Sequence, residues 1–72
     1  MIPLSMVAPG EPAVVGKITG KDAVRQHLAE LGFVMDATVS VVSRVGGSVI
    51  VQVQDSRIAL DAAMANRIFV KS

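Results

Sequence analysis

The chain has 72 residues, of which 51% are hydrophobic and 18% charged, with a net charge of +1 and no cysteine. This length accommodates one domain with one core, residues 1–72, and the lack of cysteine removes disulfides and thiolate metal sites as ways of holding it together. The seven basic residues (Lys17, Lys21, Arg25, Arg44, Arg57, Arg67 and Lys71) are scattered singly, so no basic face is expected that would neutralise several phosphates, and nucleic-acid binding is not expected.

The apolar supply exceeds what so small a core can hide. Some apolar surface should therefore face a partner or be covered by self-association. The N-terminus, Met1-Ile2-Pro3-Leu4-Ser5-Met6, has no basic region and reaches Pro9-Gly10 before a signal-peptide core forms. No apolar run approaches the roughly 18 to 20 residues of a membrane span. The expectation is a cytoplasmic domain without direct membrane insertion.

In chain order, Leu4 to Met6 reads as a short edge strand before the turn cluster Pro9-Gly10-Glu11-Pro12. Ala13 to Thr19 is the second strand, ended by Gly20, with a bulge at Gly16 that brings both Val15 and Ile18 inward. At Asp22 the period changes. Val24, Leu28 and Leu31 fall at i, i+4 and i+7, the apolar stripe of a helix over about 22–31. Asp22 suits the positive end of the helix dipole, and Gly32 suits a left-handed stop.

Alternation then returns at Val39 and Val41 and again at Val49, Val51 and Val53, with the hairpin turn Gly46-Gly47 between them. Ile58-Ala59-Leu60 follows the turn Asp55-Ser56. Asp61 can cap a short helical turn over about 62–65, and Ile68-Phe69-Val70 is the last strand. Five or six short strands with one α-helix predict a mainly β fold closed as a small, strongly bent barrel. The valines named, with Ile58, Leu60, Ile68, Val70, Leu28 and Leu31, should be buried together.

Catalysis finds little to use. His27 is the one histidine, no serine stands in a nucleophile elbow, and the carboxylates are spread one per segment. The chain is expected not to be an enzyme and to need no cofactor. His27 and Glu30, at i and i+3 on the helix, offer one nitrogen and one oxygen ligand, enough only for weak zinc or ferrous iron. The four methionines lie in four different segments, which suits core filling or an adaptable contact surface better than copper. With two phenylalanines and no other aromatic, a polyproline groove or a base-stacking platform is not expected. Four apolar residues in a connection, Gly32-Phe33-Val34-Met35, cannot easily all point inward. Phe33, Val34 and Met35 are therefore the candidate partner contacts, with Leu4 and Met6 at the barrel edge as the second set and Gly32 as the structural turn.

This order of signals resembles the FeoA family over nearly the whole chain. Leu4 and Pro9-Gly10 look like that family's opening strand and turn, and Val15, Ile18 and Gly20 look like its second strand. Arg25 to Phe33 looks like its helix ending in Leu-Gly-Phe. Ile58-Ala59-Leu60, Met64-Ala65, Ile68 and Val70 look like its closing pattern. The chain departs from the family at Met35-Asp36, where Pro-Gly is usual, and near Gln54-Asp55, where a glycine is usual.

The resemblance implies an SH3-like barrel and an accessory role in ferrous iron uptake. The partner would be the cytoplasmic part of a FeoB-type transporter, which would recruit the chain to the inner membrane. It also implies kinship with the C-terminal domain of iron-dependent repressors, although no helix-turn-helix is read here. The alternative function is a metal-responsive domain that holds a divalent cation weakly through His27 and Glu30.

Overall fold

The alternation of Val49, Val51 and Val53 buries all three on one face of a strand, while Ser48, Ile50 and Gln52 between them are only half-buried. The same period organises the rest of the computed structural model, which describes residues 1–71. Its strands are β1 (Ile2–Pro3), β2 (Pro12–Ile18), β3 (Thr38–Val45), β4 (Ser48–Val53), β5 (Ser56–Asp61) and β6 (Ile68–Lys71). A 3-10 turn, Leu4–Met6, follows β1; helix α1 (Asp22–Glu30) follows β2, and α2 (Ala62–Ala65) follows β5. All pairings are antiparallel, in the order β1-β6-β2-β3-β4-β5.

The sheet bends where its register slips. One slip lies between Val15 and Lys17 in β2, at the expected Gly16 bulge, and another lies between Val41 and Ser43 in β3. An extra residue on one strand increases local twist and curvature. The 3-10 turn packs beside β6 and also against α2, which itself rests on β4 and β5. Opposite ends of the strand order are thereby curled round one core. Val15, Val39, Val41, Val49, Val51, Val53, Leu60, Ile68 and Val70 meet Leu4, Leu28 and Phe33 there.

The hairpin turn at Gly46-Gly47 joins the paired residues Val45 and Ser48, with φ +58° at Gly46. A positive φ at the first central residue alone is the type II′ pattern. Asp61 caps α2 as expected, its carboxylate accepting from the Met64 N–H at 2.8 Å. Asp22 does not cap α1. It is the first helical residue, and its carboxylate pairs instead with Arg25 one turn on.

Three expectations are corrected. Leu4 to Met6 is not a strand: the Arg44 guanidinium donates to the carbonyls of both Ser5 and Val7, at 2.6 Å for Ser5. The Val7 N–H closes back on Leu4 O at 3.1 Å. Carbonyls held by a guanidinium have no ladder to join, so the segment coils and turns Leu4 wholly into the core. Leu31 and Ile58 are half-buried, not core. Leu31 is the C-cap at the helix rim. Ile58 shares the face of its partner Val51 on the outermost strand, at the end away from α2, whereas Leu60 on the same strand lies next to α2 and is buried.

Candidate protein-interaction site

Helix α1 ends in a Schellman motif, in which two backbone bonds satisfy the last free carbonyls. The Gly32 N–H donates to Ala29 O at 3.0 Å and the Phe33 N–H to Leu28 O at 3.0 Å. Gly32 has φ +109°. The motif commonly pairs the residue after the glycine with the one whose carbonyl it caps. Here these are Phe33 and Leu28, both with no solvent exposure and both in the core.

The chain then turns sharply outward. The Ala37 N–H donates to Val34 O at 3.1 Å, closing a four-residue turn with Met35 and Asp36 at its centre. Asp36 has φ +69°. Positive φ at the third position is the type II pattern, which favours proline then glycine at the two central sites. That explains why a Pro-Gly pair suits the positions occupied here by Met35 and Asp36. The turn is tied down by the Asp36 N–H donating to Val15 O at 2.8 Å and by an ion pair with Lys71 at 2.6 Å. Met35 and Val34 are thereby held out in solvent, 58% and 45% exposed.

Between this turn and α1 runs an open groove of about 620 Å³. Ile18, Ala29 and the sealed ring of Phe33 lie along it, Val34 and Met35 form one lip, and Asp22 and Arg25 stand on the helix side. A second groove of about 360 Å³ lies near the N-terminus beside Ile2, Met6 and Pro12, with Met6 69% exposed.

The contact residues expected from the sequence therefore divide. Val34, Met35 and Met6 are surface residues. Phe33 and Leu4 have no exposed surface and cannot touch a partner directly in this structure. The signal for Phe33 was present in the sequence: a glycine stop after Leu31 pairs the following residue with Leu28. His27 and Glu30 are both exposed on α1. No group of three or more histidine, aspartate or glutamate side chains able to hold a metal occurs among the described residues. The donors present suit a weak, open site and not a closed one.

The bent six-stranded antiparallel sheet with an inserted helix defines the class: this is an SH3-like domain. A zinc-complexed FeoA from Stenotrophomonas maltophilia, described as a prokaryotic SH3 domain protein, superposes with a TM-score of 0.87 at 32% identity, over 99% of this chain and 91% of that one. The FeoA domain model matches residues 2–72, and the chain belongs to the FeoA domain family, which is linked to ferrous iron transport. A further FeoA, described as an iron uptake regulatory protein, matches at 33% identity with a TM-score of 0.88, over 97% of this chain and 93% of that one. A manganese-dependent transcriptional repressor shares the fold at 22% identity and a TM-score of 0.87, over 97% of this chain and 40% of that one. No curated protein matches the chain.

Proposed function

We propose that the chain is a non-enzymatic interaction domain that serves ferrous iron uptake by docking on the cytoplasmic part of a FeoB-type transporter. The contact runs through the groove beside α1. The observation that carries this reading is the Val34–Met35 lip: two adjacent apolar side chains held in solvent by a turn whose own hydrogen bonds are satisfied. Exposed apolar residues on a rigid support beside an apolar groove are what an anchored contact requires. The Stenotrophomonas relative, whose description proposes a ferrous iron transport activating factor, supports the pathway. No helix among the described residues is long and apolar enough to cross a membrane. Attachment to the inner membrane would then come through the partner.

Met35→Glu is the test. Met35 occupies a turn position that tolerates most residues, so the melting behaviour should change by no more than about 0.5 kcal/mol in stability. Binding to the transporter's cytoplasmic part, measured by titration, should weaken by about 1 kcal/mol or more if Met35 lies at the centre of the contact. A variant that melts and binds like the parent would remove the α1 groove from the interface and move attention to Met6 and the second groove.

The zinc bound to the Stenotrophomonas relative favours a second reading, in which His27 and Glu30 hold a divalent cation weakly. Calorimetry with zinc and with ferrous iron should show weak zinc binding that His27→Ala removes without altering the melt. Tight ferrous binding in the parent would promote this reading over the first.

A further inference from the structure

The two edges of the sheet are unlike. β1 presents two residues, one of them Pro3, which has no N–H to offer a neighbour. β5 presents six residues, Ser56–Asp61, with no strand outside them. A long open edge is where another strand adds.

The direction of the free backbone groups follows from bonds elsewhere in the sheet. The Val15 N–H donates to Ala37 O at 2.9 Å, and the Gly10 N–H donates to Val41 O at 2.7 Å. Ala37, just before β3, and Val41 within it thus direct their carbonyls to the β2 side, as Val39 does by alternation, and Ser40 faces β4, opposite Gln52. Val51 and Val53 must then turn toward β5, where they meet Ile58 and Ser56. The residues between, Arg57 and Ala59, direct their N–H and C=O groups to the open edge, as does the N–H of Asp61. Their side chains are exposed, whereas Leu60 is buried and Ile58 half-buried on the core face.

This edge is complementary to itself. In an antiparallel pair centred on Ala59, Arg57 stands opposite the second copy's Asp61, and Asp61 opposite the second copy's Arg57. A small methyl group lies on the axis and no like charges face one another. Opposite charges across a strand pair stabilise it, and like charges would oppose it. Both charged groups have capacity to spare. Asp61 uses Oδ1 for the Met64 N–H, leaving Oδ2, and Arg57 uses Nε for Gln52 Oε1 at 3.1 Å, leaving its terminal nitrogens. On the other face, Ile58 comes beside the second copy's Leu60, which covers the side chain that β5 leaves half-exposed. A register shifted by one residue sets Arg57 against Leu60 and loses both ion pairs.

We infer that β5 is a self-association edge, on which a second copy of the chain pairs antiparallel, Ala59 on Ala59, to give one continuous sheet. The inference is independent of the α1 groove. The contact spans Arg57 to Asp61 in each copy, smaller than a standard stable interface, so association is weak and visible only at high concentration.

Sedimentation equilibrium from micromolar to millimolar protein is the measurement, with amide exchange at Arg57 and Ala59 followed alongside. The parent should pass from monomer toward dimer, and those two amides should exchange more slowly as concentration rises. Ala59→Pro removes an N–H that no strand within the chain uses, and Arg57→Asp sets carboxylates against each other. Each should weaken dimerisation at least tenfold while dilute samples melt as the parent does. If Ala59→Pro folds poorly, Arg57→Asp and the parent's amides still decide the matter. A parent that stays monomeric at millimolar concentration overturns the inference. So does a dimer that survives Arg57→Asp but is lost in Met35→Glu, because the α1 groove would then be the contact.

Discussion

Phe33→Ala is expected to destabilise the protein by about 3–5 kcal/mol, the usual cost of truncating a buried aromatic to a methyl. Phe33 heads the largest fully buried side chains in the structure. The cavity cannot collapse easily, because Phe33 is held on one side by the Schellman bond to Leu28 and followed on the other by the Val34–Ala37 turn. At roughly 0.05–0.15 kcal/mol per residue, a domain this size has a total stability of about 4–11 kcal/mol, so the loss removes a large share of it. Chemical denaturation measures it, and a loss under about 1 kcal/mol would show that the ring is not core. Phe33→Leu, which keeps most of the volume, should cost less than about 1.5 kcal/mol. It should also leave partner binding intact, because the ring has no exposed surface to lose.

Gly32→Ala should cost about 2–4 kcal/mol, from two sources that add. At φ +109° an L side chain is strained by its own backbone. A methyl group there would also lie 2.7 Å from Val53 Cγ1. Val53 is itself 2% exposed and flanked by β3 and β5, so it has nowhere to move. A double-mutant cycle separates the sources. In a Val53→Ala background the contact is gone and only the backbone strain remains, so the second substitution should cost distinctly less. Equal costs in both backgrounds would mean that strain alone forbids a side chain at Gly32.

Wherever a short-range rule was sufficient, the sequence was a faithful guide. Val49, Val51 and Val53 alternate, and a strand with one buried face must put all three on it. Gly46-Gly47 and the Asp61 cap of α2 depend on two to four neighbouring residues, and both stand where their chemistry puts them. Gly16 forecast the bulge for the same reason. The departures at Asp36 and Gln54 were also readable: both residues take positive φ, +69° and +54°, at places where glycine would be unstrained. Phe33 is an intermediate case. Its inward path follows from the glycine stop four residues after Leu28 and four before Asp36, and reading the run Gly32-Phe33-Val34-Met35 as uniformly apolar hid it.

Tertiary structure decided the rest, because the deciding partners lie far along the chain. Leu4 to Met6 has the composition of an edge strand, but Arg44, 39 residues beyond Ser5, holds the carbonyls of Ser5 and of Val7 just after the segment, which is coiled. Ile58 and Leu60 look equivalent in sequence and share one face of the edge strand β5, yet only Leu60 is buried, because it lies at the end of that strand next to α2, which packs on β4 and β5. Met35 and Val34 stand in solvent because Val15 and Lys71 anchor the turn beneath them. Periodicity and turn chemistry act over a few residues, and they determined most of the elements and the class, while the family followed from the resemblance of the motif order. Which apolar residues are left for a partner is a property of the closed surface, and only contacts between distant segments determine that.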